Sequence, residues 1–198
     1  MSVLNGSAMR WLLHRFGLQP AHTQLTAAER TCLAKHAAGK RTLVEIGVMY
    51  GGTTALLRSV MHPAGTVTGI DPHPVGRLGV SFERWIAARE VARHQRGHAV
   101  LLRKLSWEAA SEWTAPIDFL FIDGDHSWNG IDRDWRDWTS FIVPGGVVAL
   151  HDSRSVSERP DYDSVRYTQH VILRDANFRE IDSADSLTIL ARVGGCGR

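Results

Sequence analysis

The sequence predicts an α/β protein built on a doubly wound, mostly parallel sheet, with an antiparallel last strand and helices at the N-terminus. Three observations carry this expectation. Apolar runs alternate with helix-compatible segments through the middle of the chain, the arrangement of right-handed βαβ units. Those runs are continuously apolar, as in strands covered on both faces. One of them, Phe119-Leu120-Phe121-Ile122, runs straight into Asp123-Gly124-Asp125-His126. Sheets of this kind bind ligands beyond the carboxyl ends of their strands, so that polar group sits where an enzyme would use it.

The elements follow in order. Residues 4–18 read as a helix with Trp11, Leu12 and Phe16 as its apolar stripe. Thr26-Ala27-Ala28-Glu29 has capping-box spacing and opens a second helix through Cys32, Leu33 and Ala37, which Gly39 stops. Strands are expected at 42–46, 66–70, 99–102, 117–122 and 147–150, and helices at about 52–61, 81–94, 107–113 and 128–141. In the last of these helices Trp128, Ile131, Trp135 and Trp138 recur at three- and four-residue spacing, which makes a packing face. Pro144-Gly145-Gly146 reads as a turn before the fifth strand. The polar stretch 153–163 directly follows that strand and is a candidate substrate lid. A helix is expected around 165–174, then strands at 178–181 and 187–191. The short polar link 182–186 makes those two strands a hairpin, so the last one enters the sheet antiparallel.

The 198 residues, 43% hydrophobic and 22% charged, fit one folded domain. Residues 1–40 would form a helical segment, 41–152 the core, and 153–198 the lid loop, helix and hairpin. A formal charge of +2, with basic residues scattered along the chain, gives no support to nucleic-acid binding or to a membrane-surface role. No stretch approaches a membrane span, and Arg10, His14 and Arg15 spoil the N-terminus as a secretory signal, so a cytoplasmic protein is expected. Cys32 and Cys196 make neither a disulfide framework nor a zinc pattern.

The first strand leads into Glu45-Ile46-Gly47-Val48-Met49-Tyr50-Gly51-Gly52. Glycines there let the backbone pass close to a ligand and turn into a helix N-terminus. The spacing differs from the Gly-x-Gly-x-x-Gly of dinucleotide sites, and Glu45 would disfavour a pyrophosphate but accommodate a cationic cofactor. Asp71 ends the second strand, where a carboxylate can accept hydrogen bonds from ribose hydroxyls. Together these describe a nucleoside site without phosphates.

Four segments in order, 44–54, Gly69-Ile70-Asp71, 119–126 and Gly145-Gly146-Val147-Val148-Ala149-Leu150-His151-Asp152, resemble the successive motifs of class I S-adenosylmethionine-dependent methyltransferases. The likeness is greatest to the small metal-dependent sugar O-methyltransferases of the macrocin O-methyltransferase type; catechol O-methyltransferase is more distant. It covers about residues 41–152 and implies a Rossmann-like methyltransferase fold. By this resemblance Glu45, Gly47, Gly51 and Asp71 hold S-adenosylmethionine, with Ser106 on the adenine side, although a helix N-cap also explains Ser106. The resemblance further implies that Asp123, His151 and Asp152 line a divalent-metal site and that His126 is the general base. Many members of the type carry two acidic residues where this chain has His151-Asp152, which leaves the role of His151 open.

The chemistry is coherent. Oxygen ligands favour Mg²⁺ or Mn²⁺, and adding His151 tilts the site toward a transition metal. A bound metal lowers the pKa of a hydroxyl, and an imidazole three residues past Asp123 can take its proton. Asp125 is open between ligand, partner of His126 and N-cap. The expected activity is therefore S-adenosylmethionine-dependent, metal-assisted methylation of a hydroxyl on a sugar or small natural-product metabolite. Two rivals stand beside it: a His126, His151 and aspartate site for an oxygenase iron, and a non-catalytic binding module of the same fold. The N-terminal helices are free to cover the active site or to build a homo-oligomer interface.

Overall fold

In the computed structural model, which describes residues 3–18, 23–76, 79–156 and 162–194, two helices precede an alternation of strands and helices. They are α1 (Val3–Arg15) and α2 (Ala27–Ala37). The alternation then runs β1 (Thr42–Ile46), α3 (Gly52–Val60), β2 (Thr66–Ile70), α4 (Phe82–Val91), β3 (His98–Leu102), α5 (Ser106–Ser111) and β4 (Ile117–Ile122). It continues through α6 (Trp128–Thr139), β5 (Ile142–Leu150) and α7 (Asp163–His170), then closes with a short 3₁₀ turn at Ile172–Arg174, β6 (Phe178–Ala184) and β7 (Leu187–Arg192). The seven strands form one sheet in the order β3-β2-β1-β4-β5-β7-β6. β1 to β5 are parallel, and β7 lies antiparallel between β5 and β6. Among the described residues no helix is long and apolar enough to cross a membrane.

Period-two alternation sorts the strand residues onto two apolar layers. Leu43, Phe119, Phe121, Val147, Ala149, Leu187 and Ile189 face one side, where Leu33 and Ala37 of α2 and Leu57 of α3 cover them. Val44, Ile46, Leu120, Ile122, Val148, Leu150 and Leu190 face the other, against α5, α6 and Tyr167 of α7. Covering both faces is why these strands read as unbroken apolar runs. The apolar stripe of α6 is core at Ile131, Trp135 and Trp138, as its spacing predicts, whereas Trp128 at the start of the helix is exposed.

The chain changes direction across the sheet between β1 and β4, since β1 leads outward to β2 and β3 while β4 leads to β5. That switch point opens a crevice beyond the carboxyl ends of β1 and β4, the position at which doubly wound sheets bind ligands. α2 is held as its capping box foretells: Thr26 Oγ1 accepts from the Glu29 N–H at 3.2 Å, and Glu29 Oε2 accepts from the Thr26 N–H at 2.8 Å.

Among the boundaries that differ from the sequence expectation, three change how an element is built. β5 begins at Ile142, and Pro144-Gly145-Gly146 falls inside it as an irregularity in the pairing with β4, not as a turn before it. β6 runs on through Asp182 to Ala184, so the hairpin link is Asp185-Ser186 alone, with Asp185 in the left-handed region. The expected helix at 165–174 starts two residues earlier and breaks into α7 and the 3₁₀ turn. Of the candidate lid at 153–163, residues 157–161 lie outside the described residues, as does Cys196.

Candidate active site

A cavity of about 840 Å³ occupies the crevice at the switch point. Its walls come from the loop after β1 (Gly47, Val48, Met49) and the start of α3 (Gly52, Thr53), the end of β2 (Asp71), the start of α5 (Ser106, Trp107), the loop after β4 (Asp123 to His126) and the first turns of α6 (Asn129, Gly130 and Asp132 to Asp134). The volume lies within the range of small-molecule sites.

Gly47 is required where it stands. Its φ is 87°, and a Cβ there would collide with the carbonyl oxygen of Asp123, so only glycine brings the first loop against the end of β4. Gly51 (φ 78°) serves packing: a Cβ would come 2.8 Å from Ala87 Cα on α4. Asp71 fastens the loop from the other side. Its Oδ2 accepts from the N–H groups of Val48 and Met49 at 3.0 and 2.8 Å, and its Oδ1 from the His73 N–H at 2.7 Å. The buried His73 ring places Nε2 3.0 Å from the Met49 carbonyl oxygen. Met49 and His73 both have positive φ, so this clamp holds two strained residues beside the cavity.

Glu45 stands apart from the loop the sequence assigned it to. It lies within β1, its Oε2 accepts from Thr54 Oγ1 of α3 at 2.5 Å, and neither it nor Gly51 reaches the cavity wall. Burial pushes its carboxyl well above the usual range, against the hydrogen bond from Thr54, and Asp123 and Asp71 add to the push.

Ser106 is the first residue of α5 and not its N-cap, and its Oγ donates to Asp134 Oδ1 at 2.5 Å. Asp134 is a site residue that the sequence reading passed over. It sits in α6 on the same buried face as Ile131, Trp135 and Trp138, and an acid within an apolar stripe was the available signal. Burial lifts its carboxyl to about 6; the Ser106 bond opposes this, and Asp137 and Asp125 raise it further.

At the other end of the cavity, β4 and β5 bring three expected residues together with His126. His151 Nδ1 lies 2.9 Å from Asp123 Oδ1. His126 Nε2 is 3.4 Å from Asp123 Oδ1 and 3.7 Å from Asp152 Oδ2, and His151 Nδ1 is 3.8 Å from Asp152 Oδ2. Asp152 is buried with φ 47°, a strained conformation held by a hydrogen bond from Ser164 Oγ to its carbonyl oxygen at 2.6 Å. Burial pushes the Asp123 carboxyl up, but the two imidazoles outweigh it and hold the group below its ordinary value. Burial pulls the His151 imidazole down, and Asp123, Asp152 and Glu29 reverse that and leave it raised.

Glu29 is the second residue that sequence reasoning missed. Its capping role is local, but its buried carboxylate also places Oε2 3.6 Å from His151 Nε2 and accepts on Oε1 from Ser186 N–H and Oγ, at 3.0 and 2.6 Å. Asp125, left open by the sequence, accepts from the Ser127 N–H at 2.9 Å and so shapes the turn into α6, where Ser127 is the N-cap.

The comparisons with known proteins bear on this geometry. A family model described as a methyltransferase domain matches residues 44–153, from β1 through the buried Asp152. The chain belongs to the methyltransferase-domain family. Solved structures agree in fold. The O-methyltransferase TomG from Streptomyces achromogenes, involved in tomaymycin synthesis and bound to SAM, superposes with a TM-score of 0.65 at 16% identity, over 96% of this chain and 90% of that one. An O-methyltransferase from Bacillus cereus in complex with SAH gives 0.63 at 18% identity over 95% and 90%. The N-methyltransferase NodS from Bradyrhizobium japonicum gives 0.60 at 12% identity over 96% and 99%. The methyltransferase fold is thus shared by proteins that act on oxygen and on nitrogen, and the acceptor atom has to be argued from the site. In this methyltransferase Gly47, Asp71, Ser106, Asp123, His126 and Asp134 line the cavity, and His151 and Asp152 lie behind its wall against Asp123 and His126.

Proposed function

We propose that this methyltransferase acts on a hydroxyl oxygen of a small molecule, a sugar or other natural-product metabolite, using S-adenosylmethionine with the help of a divalent metal ion. The observation that carries the reading is the convergence of donor atoms from Asp123, His126 and His151, all within 4.8 Å of one another, beside the cavity. Asp152 adds a second carboxylate within 4 Å of both imidazoles. The donor chemistry fits a divalent ion: carboxylate oxygens with imidazole nitrogen suit Mn²⁺ or a later transition metal better than Mg²⁺.

Along the cavity, Asp71, the Gly47 loop and Ser106 would hold the cofactor, and Asp123, Asp152 and His151 the ion. When bound, the cofactor supplies an electrophilic methyl on a sulfonium, and the ion a positive charge that acidifies a hydroxyl. The rest falls to the chain. Asp123 and Asp152 face His126 Nε2 and favour the tautomer with its proton there. Nδ1 is then the atom that takes a proton from the acceptor, and the two carboxylates stabilise the resulting imidazolium. Gly47 and Asp71 keep the first loop in a fixed shape, which serves in-line placement of the reacting groups.

The test uses a panel of hydroxylated sugars and phenols with isotopically labelled cofactor. His126→Ala is expected to lower turnover by about 10²–10⁴-fold while calorimetry shows cofactor affinity unchanged. Thorough metal removal should abolish turnover, and Mn²⁺ should restore it. Undiminished activity in either experiment sinks the corresponding half of the reading.

A further inference from the structure

A second cluster of metal-ligating side chains lies away from the cavity, where α2 crosses the hairpin. Cys32 and His36 are one helical turn apart on α2, so both side chains project from the same face. Asp182 comes from β6, and the thiol, an imidazole nitrogen and a carboxylate oxygen all lie within 4.8 Å of one another. His36 Nε2 is 2.8 Å from Asp182 Oδ2.

Asp182 faces this way for an identifiable reason. In a regular strand, residues of equal parity share a face, so Phe178, Asp182 and Ala184 would point together. Instead Phe178 packs with Trp135 in the layer of α6, whereas Ala184 packs in the layer of α2. The pairing register explains it: Glu180 opposes Leu190 and Asp182 opposes Ile189, leaving Ile181 as an extra residue. This bulge turns the rest of β6 over, which aims the carboxylate at Cys32 and His36. Bulges are a means by which sheets re-aim a functional side chain.

We propose that Cys32, His36 and Asp182 form a structural site for a borderline-soft divalent cation of the zinc class, clipping α2 to the hairpin independently of the active site. A thiolate, an imidazole and a carboxylate are three of the donors that zinc takes, and water completes a tetrahedron. At bond lengths of about 2.0–2.3 Å, donors around such an ion lie roughly 3–4 Å apart, so the side chains need only small rotations. Binding releases the thiol proton to solvent as the Sγ–metal bond forms. Lys35 now shares the same carboxylate, its Nζ 2.8 Å from Asp182 Oδ2, and must leave it; the ammonium is well exposed and swings into water. The cluster has no local signature in the sequence, because Asp182 is 146 positions from His36.

Cobalt(II), a spectroscopic substitute for zinc, is the probe, titrated into the full chain under reducing conditions. A thiolate-to-cobalt charge-transfer band should grow to one equivalent and vanish on adding Zn²⁺. The band should be lost in Cys32→Ser, weakened about tenfold or more in affinity in Asp182→Asn and His36→Gln, and retained in the double variant Asp123→Asn, His126→Ala. Lys35→Ala should tighten binding, since it removes the competing ammonium. Absence of the band in the wild-type chain overturns the proposal, as does a band that survives Cys32→Ser or one whose affinity ignores Asp182→Asn. Should Cys32→Ser fail to fold, Asp182→Asn, on the edge strand, decides alone.

Discussion

Asp134 illustrates what a single buried carboxyl does to this fold. Its proton is held up to about pH 6, whereas in the unfolded chain it is lost near the ordinary value of 3.8. A raised carboxyl contributes stability at low pH that fades as pH rises through the folded value, here between about 4 and 6. The shift of about two units corresponds to about 3 kcal/mol, an upper figure. Asp134→Asn should therefore match the wild type near pH 4 and exceed its unfolding free energy by up to about 3 kcal/mol above neutrality. Thermal melts across that range check this, and a pH-independent difference would refute it. Gly47 makes the opposite case: Gly47→Ala costs about 1–2 kcal/mol from the left-handed backbone alone, and more from the collision with Asp123. Urea unfolding should show the loss, together with weakened cofactor binding. Gly47 was legible in the sequence because its chemistry is that of the backbone. Asp134 was marked only by an acid on an apolar helix face.

At the scale of elements, α2 does more than cover the sheet. Through Glu29 it caps itself, satisfies the buried Ser186 in the β6–β7 link, and reaches His151 at the active site. Glu29→Ala removes the capping box and leaves the Ser186 N–H without its acceptor, a loss of about 2–4 kcal/mol. Glu29→Gln keeps a single carbonyl acceptor, which can serve Thr26 or Ser186 but not both, and should recover about half of it. Chemical denaturation of the two variants separates these outcomes, and equal destabilisation would mean that the charge and not the hydrogen bonds is what matters. The same hairpin shows why element ends are hard to read. A bulge at Ile181 and a two-residue link lengthen β6 beyond its apolar run, and neither leaves a local signature.

At the scale of the whole molecule, the sheet order places the cavity at the switch point between the parallel strands β1 and β4, with walls contributed by the segments that follow β1, β2 and β4 and by the first turns of α3, α5 and α6. A ligand that binds only the assembled crevice stabilises the entire fold by mass action. S-adenosylmethionine at about a hundred times its dissociation constant should add about 2.7 kcal/mol, which for a chain of this size raises the melting temperature by about 5–10 °C. Differential scanning fluorimetry measures it, and a melting temperature indifferent to the cofactor would contradict the assignment of the cavity.

The sequence by itself determined the layered α/β architecture, the five parallel strands, the glycine loop and the acids at the strand ends. These follow from periodicity, from the backbone freedom of glycine and from the short range of turn chemistry. It could not determine which of those side chains meet. Glu45 turning away to Thr54, Asp134 entering the cavity, Glu29 reaching His151, and Cys32 and His36 facing Asp182 all depend on register and packing between segments far apart in the chain. Those contacts exist only once the sheet has closed and its helices have docked, and so the tertiary structure alone decided them.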